Sequence, residues 1–241
     1  MNRSKIEWTD YTVNPVKGLC PMACPYCYAR RMYKRYHWDE TIRFEPEVFN
    51  ELWKLDIGKR IFVGSTMELF GPWVKDEWIE QIFTAVRETP EHTFIFLTKK
   101  PGHLPKWSPF PDNAWIGVST TGYDGRSGLE DIFAPIRAKV KFVSIEPLLD
   151  YTPMDFRWVD WVIVGRQTPI SAKTMPRVAW IQDIVRLAEK DGASVFLKDN
   201  LRSLLTETCR CGCGEYHWFD WAMGQDGKLR QESPSPSTSG S

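Results

Sequence analysis

Short apolar runs rich in β-branched and aromatic residues alternate along this chain with amphipathic helical stretches. That alternation predicts an α/β fold, a partial or nearly closed (β/α) barrel with a small cysteine-containing appendage at its C-terminal side. A second observation supports it: polar residues gather just after the apolar runs, where parallel βα folds place their functional groups. A third is size, since 241 residues with 42% hydrophobic content suit one large α/β domain with an appendage.

The elements follow in order. A strand over Tyr11 to Val13 delivers the chain into a cysteine loop, and six further strands are expected at Arg60 to Gly64, Thr93 to Leu97, Ala114 to Ser119, Lys139 to Ile145, Trp161 to Gly165 and Ser194 to Lys198. Between them, Val48, Phe49, Leu52 and Trp53 form one helical stripe. Trp78, Ile79, Ile82, Phe83 and Val86 form a second, entered at Asp76 and ended before Pro90. Ile181, Ile184, Val185 and Ala188 form a third, closed by Gly192. All three stripes read as core. Glu146 to Arg157 is too short for strand, helix and turns, so one helix is expected to be missing there. The chain thus divides into a barrel over 1–200, an appendage over 201–232 and a tail over 233–241 that lacks apolar residues and is expected to be disordered.

Charge and hydropathy exclude several classes. Lys and Arg number 31 against 31 Asp and Glu, so no global field draws the chain to nucleic acid, and such a partner would need a local patch. No apolar run approaches the roughly 18 residues of a membrane span, and the polar Met1 to Asp10 stretch lacks a signal-peptide core. A cytoplasmic location is expected, where six cysteines in two tight triplets point to metal ligation rather than disulfides.

Cys20, Cys24 and Cys27 are the most specific chemical feature. A loop of this length can wrap three thiolates around one face of a cubane 4Fe-4S cluster and leave the fourth iron open to a ligand. The same spacing could share a structural zinc with a remote fourth ligand. The residues after the strands match the groups of S-adenosylmethionine (SAM), which presents an amine, a carboxylate, a ribose diol and an adenine. Glu68 suits the amine, Ser119 and Ser144 the carboxylate or ribose, Glu146 the ribose, and Tyr26 with Val164 the adenine.

Cys-x3-Cys-x-aromatic-Cys, with Tyr26 in the aromatic slot, resembles the signature of the radical SAM superfamily. In more detail the chain resembles an uncharacterised phage- and prophage-associated family with a radical-SAM-like three-cysteine motif. The matching segments are Lys5 to Asp10 with Asn14-Pro15, Cys24 to Arg30, Met67 to Phe70, Phe96 to Pro101, Trp115 to Ser119 and Ser144 to Leu149. The resemblance implies a barrel of radical SAM type, with a 4Fe-4S cluster on Cys20, Cys24 and Cys27. It departs after the sixth strand, where a Gly-Gly-Glu-Ser-Gly-like stretch is replaced by Gly165-Arg166-Gln167-Thr168-Pro169 and the added cation calls for an anionic partner.

Two further features remain. Cys209, Cys211 and Cys213 with His217 could complete a zinc site or an auxiliary iron-sulfur cluster, or remain reduced thiols; Tyr216 to Met223 and Lys228 to Arg230 read as a small hairpin around Gly224 to Gly227. Arg30, Arg31, Lys34 and Arg35, interleaved with Tyr33, Tyr36 and Trp38, form either a solvated helix face or a nucleic-acid-tracking face. The expected activity is reductive cleavage of SAM to a 5'-deoxyadenosyl radical, fed by an electron donor and acting on a substrate that could be a nucleic acid or nucleotide. The alternative is a non-catalytic zinc- or cluster-stabilised binding module.

Overall fold

The computed structural model describes residues 1–122, 128–151, 153–208 and 216–234. They form two compact units, the first made of Met1–Val118 and Asp131–Lys139, the second of Ser119–Glu130 and the chain from Val140 onward. In chain order the strands and α-helices are β1 (Asn2–Arg3), β2 (Tyr11–Val13), β3 (Val16–Lys17), α1 (Tyr28–Tyr36), β4 (Arg43–Phe44), β5 (Arg60–Val63), α2 (Asp76–Arg87), β6 (Thr93–Thr98) and β7 (Ala114–Thr120). Then come α3 (Leu129–Phe133), β8 (Val140–Ile145), β9 (Trp161–Val164), α4 (Val178–Asp191), β10 (Ser194–Leu197), β11 (Thr206–Thr208) and β12 (Tyr216–Trp218).

In the first unit β2, β5, β6 and β7 pair in parallel in that order, with Val13 opposite Val63, Val63 opposite Phe96 and Thr98 opposite Val118. The two-residue β1 adds an antiparallel edge to β2. Ile61, Phe94, Ile95 and Ile116 have no exposed surface, as expected of parallel strands covered on both faces. Of the predicted stripe of α2, Ile79, Ile82, Phe83 and Val86 are buried and Trp78 is half-buried, and Phe83 packs edge-on against Phe96 and Phe110 with ring centroids 5.5 and 5.6 Å apart. Asp76 and Glu77 in its first turn suit the positive end of the helix dipole.

The first helical stripe needs correction. Pro46–Lys54 is a 3-10 helix, with about three residues per turn. Phe49 and Leu52 therefore share the buried face, whereas Trp53 turns outward and is 65% exposed.

In the second unit β8, β9 and β10 are parallel, with Ile145 opposite Val164 and Val164 opposite Leu197. Every residue of β9 is buried, and Trp161 packs on Phe142 and Phe196 at 5.5 and 5.9 Å. The helix α4 buries the expected stripe and ends at Gly192, whose φ of 82° is the left-handed conformation that glycine adopts without a Cβ clash. Between Ile145 and Trp161 no helix occurs among the described residues.

The turn expected at Gly224 to Gly227 is formed, with Gly224 N–H donating to Lys228 O and Met223 bridging Leu229. Beyond it the chain covers the edge of β10, where Leu197 N–H donates to Arg230 O and Glu232 N–H to Val195 O. Such cover protects unpaired strand groups. Parallel α/β construction within each unit is what the pairing establishes; it does not establish closure into a barrel. Among the described residues no helix is long and apolar enough to cross a membrane.

Candidate functional site: the cysteine loop and the strand ends

The cysteine loop is two consecutive tight turns. Ala23 N–H reaches back to Cys20 O and Cys27 N–H to Cys24 O, each turn opening with a cysteine and carrying proline in the next position. Proline pre-sets the φ that the second residue of such turns needs, so the sequence Cys-Pro-x-x-Cys-Pro-x-Cys coils by itself. Cys27 is then the N-cap of α1, its sulfur accepting from Arg30 N–H at 3.5 Å. The Arg30 guanidinium returns to donate to Cys20 O at 2.6 Å and closes the loop onto the helix. Upstream, Gly18 has φ 114°, and a Cβ there would stand 2.6 Å from Thr41 O, so the chain enters the loop through a contact that only glycine allows.

All three thiols are half-buried and free, and together with Met22, Arg30 and Thr66 they line a pocket of about 20 Å³. That is room on the order of one water molecule. Among the described residues no group of three or more His, Cys, Asp and Glu side chains stands at single-ion distances. Burial pushes the Cys20 thiol up from its ordinary range, partly offset by the backbone N–H of Glu68, which donates to its sulfur at 3.5 Å. The donor set suits a cluster that takes its thiolates from one short loop, and the room for it has to come from the loop's own adjustment.

The floor under this loop is a saturated polar network. Asn14, directly after β2, accepts on Oδ1 from Ser65 Oγ, Thr66 N–H and Thr66 Oγ1 at 3.1–3.2 Å. Glu68, 7% exposed, accepts from Thr98 Oγ1 at 2.6 Å, Lys99 N–H at 2.7 Å and Phe70 N–H at 3.1 Å. Desolvation raises its pKa despite these donors. Its carboxylate thus ties the end of β5 to the end of β6 and holds the amide that touches Cys20. Tyr26 lies half-buried with Lys99 Nζ 5.7 Å from its ring centre.

In the second unit, Glu146 and Lys198 form an ion pair at 2.6 Å beside Gly165. A Cβ on Gly165 would stand 2.9 Å from Lys198 Cδ and 3.0 Å from Glu146 Oε1, so the glycine leaves space for the pair. Ser144, two residues before Glu146, is 1% exposed and its Oγ has no hydrogen-bond partner among the described residues. Ser119 is half-buried at the end of β7, and Val164 is entirely buried among the strands. Arg166 is 6% exposed, its backbone locked by Asn200.

The model of a family described as "protein of unknown function (DUF5131)" matches residues 3–207. The chain belongs to the DUF5131 family. No curated protein and no solved structure matches it. This corrects the expected assignment to the radical SAM superfamily: the DUF5131 match is not to a radical SAM family, and its description names no activity and no phage association.

Within this DUF5131 chain the structure brings together Cys20, Cys24, Cys27 and Glu68 in the first unit, and Ser144, Glu146 and Val164 on neighbouring strands of the second. Cys209, Cys211 and Cys213 lie outside the described residues; His217 lies in β12, its backbone opposite Glu207. Sequence reasoning missed the anchoring roles of Asn14, Thr98 and Arg30. The signal for Asn14 was its place directly after a strand, the criterion already applied to Glu68.

Proposed function

We propose that this protein is an iron-sulfur enzyme whose Cys20, Cys24 and Cys27 carry a 4Fe-4S cluster and whose small-molecule partner is SAM. The observation that carries this reading is the pair of cysteine-proline turns, which present three thiols from one loop toward one pocket. Held by those three thiolates, the cluster would pass one electron from an external electron donor to the sulfonium of SAM, which would part into methionine and a 5'-deoxyadenosyl radical. The remaining work belongs to the chain. Arg30 N–H and Glu68 N–H donate to the sulfurs of Cys27 and Cys20 and hold those two sulfurs in place. Glu68, with its oxygens turned to Thr98, Lys99 and Phe70, positions the loop instead of accepting from an amine. In the second unit the part-exposed Glu146 has the chemistry for a ribose, whereas Ser144, 1% exposed, and Val164 have no free surface to offer a ligand. The parallel pairing within each unit supports the partial (β/α) barrel that belongs to this proposal, and the reducing cytosol would keep the thiols available.

Anaerobic reconstitution with iron and sulfide, followed by electron paramagnetic resonance of the reduced protein, tests it. A 4Fe-4S signal that changes on SAM addition and is lost in Cys20→Ala, Cys24→Ala and Cys27→Ala is expected. Protein that stays colourless and binds one zinc at the loop would refute the cluster and favour the metal-stabilised binding module.

A nucleic-acid substrate has its own observation. Tyr36 and Trp38, 52% and 42% exposed, stack with centroids 5.6 Å apart, Arg35 lies over Tyr36, and α1 carries four cations and no acid. Exposed rings beside cations suit unpaired bases. Binding of a single-stranded oligonucleotide should weaken with salt, with a shallower slope once Arg31, Lys34 and Arg35 are neutralised. A slope that those substitutions leave unchanged would remove α1 from the interface.

A further inference from the structure

Two guanidinium groups in the second unit are largely withdrawn from water, and they are served very differently. Arg230, with its side chain 12% exposed, lies between two carboxylates, Glu189 and Glu232, the latter at 2.7 Å. Arg166 is 6% exposed, and among the described residues no carboxylate pairs with it. Its side-chain partners are Ser203 Oγ, 3.1 Å from Nη2, and the weakly accepting sulfur of Met175, 3.3 Å from Nη1. Its Nε–H is buried, with no partner among the described residues. A buried cation without a counter-charge is unfavourable, and a folded chain ordinarily supplies an anion or exposes the group.

The position of Arg166 is fixed by more than its side chain. Asn200 accepts from its N–H at 3.2 Å and donates to its carbonyl at 2.8 Å, a two-point clamp from the segment after β10. The backbone of Arg166 is therefore fixed just beyond the end of β9, and Ser203 and Met175 hold its guanidinium. Its Nε–Nη2 edge is the edge that chelates two oxygens of one oxyanion. Ser203, at that same edge, is solvent-exposed, and its hydroxyl can turn from accepting to donating.

We infer that Arg166 and Ser203 form a binding site for an oxyanion group, a phosphoryl or a carboxylate, taken on the Nε–Nη2 edge of the guanidinium and reached from the Ser203 side. It is independent of the cysteine loop, so it stands whether or not that loop carries a cluster. The site supplies the missing counter-charge to Arg166, a partner to its Nε–H and a use for the Asn200 clamp.

The test uses the full chain without added metal, titrated with inorganic phosphate and, separately, with acetate, at ionic strength matched with chloride. Binding is read by calorimetry and by the melting temperature. Saturable binding of phosphate or acetate that Arg166→Met abolishes and Ser203→Ala weakens roughly two- to tenfold supports the site. Response to phosphate alone assigns a phosphoryl ligand; comparable response to acetate assigns a carboxylate. Wild-type protein with no saturable response to either anion overturns the inference, as does a response that Ser203→Ala and Arg166→Met both leave intact. Ser203 is exposed, so its alanine variant keeps the experiment decisive even if Arg166→Met fails to fold.

Discussion

Replacing Glu68 with Gln tests whether the floor of the cysteine loop is a buried acid held against its desolvation or an anion stabilised by its donors. The carboxylate receives three hydrogen bonds, two on Oε1 from Thr98 and Phe70 and one on Oε2 from the Lys99 amide. Glutamine has one carbonyl oxygen. If that oxygen takes the Oε1 place, the amide NH₂ faces the Lys99 N–H, and one buried donor is left unpaired at a cost of about 1–3 kcal/mol. For a chain of this size that corresponds to roughly 2–12 °C in melting temperature. The cost should depend on pH, and the sign follows from burial. Because desolvation raises the Glu68 pKa above its ordinary 4.5, the folded state binds its proton more tightly than the unfolded state does. Its contribution is fully present below 4.5 and is lost as pH rises through the folded value. Wild type should therefore exceed Glu68→Gln in stability by most at acid pH, and the gap should narrow as pH rises. Paired thermal melts across the acid-to-neutral range measure that gap. A gap that widens with rising pH would refute the reasoning and show the three donors outweighing desolvation.

Two further outcomes are expected. Gly165→Ala places a methyl 2.9 Å from Lys198 Cδ and 3.0 Å from Glu146 Oε1. Both atoms belong to flexible side chains, so the ion pair should open rather than the backbone shift, at about 1 kcal/mol; chemical denaturation should show a smaller loss when the substitution is made in Lys198→Met, and equal losses in the two backgrounds would contradict this. Burial raises the Cys20 thiol pKa, and ligation needs the thiolate, so iron uptake during reconstitution should release protons and rise with pH. Uptake independent of pH would show that Cys20 is not a ligand.

The parallel strands were legible because they are buried on both faces. Trp161-Val162-Ile163-Val164 and Phe94-Ile95-Phe96 are unbroken apolar runs, and their boundaries fall within a residue or so of the expectation. Gly192 marked the end of α4 for the same local reason, a left-handed residue closing a helix. The two-residue strands β1, β3 and β4 were not legible, since so short a segment has no periodicity and forms only when a distant partner supplies its hydrogen bonds. The turn from α to 3-10 geometry at Pro46–Lys54 escaped because Phe49 and Leu52, three residues apart, share a face in either helix, and only the flanking Val48, half-buried, and Trp53, exposed, turn away from that face in the tighter one. At the site, residue types marked the cysteines and Glu68. What Glu68 touches was not marked, because the donors from Thr98 and Lys99 lie some thirty residues away and converge only through the pairing of β5 with β6.

That convergence determines how substitutions near the loop must be interpreted. In the first unit the half-buried Asn14 and the buried Glu68 each take three donors, and the amide of Glu68 is left to touch Cys20. A change at either acceptor would move the loop and reduce iron content without having removed a ligand, so loss of iron in Glu68→Gln would not make Glu68 a ligand. A cysteine substitution is different in kind, since Cys24 and Cys27 take no part in the Asn14 and Glu68 network and their removal leaves that floor standing. Iron lost in Cys24→Ala, with the melting temperature held, separates ligation from scaffolding; Cys27 also caps α1, so its alanine variant should lose some stability as well.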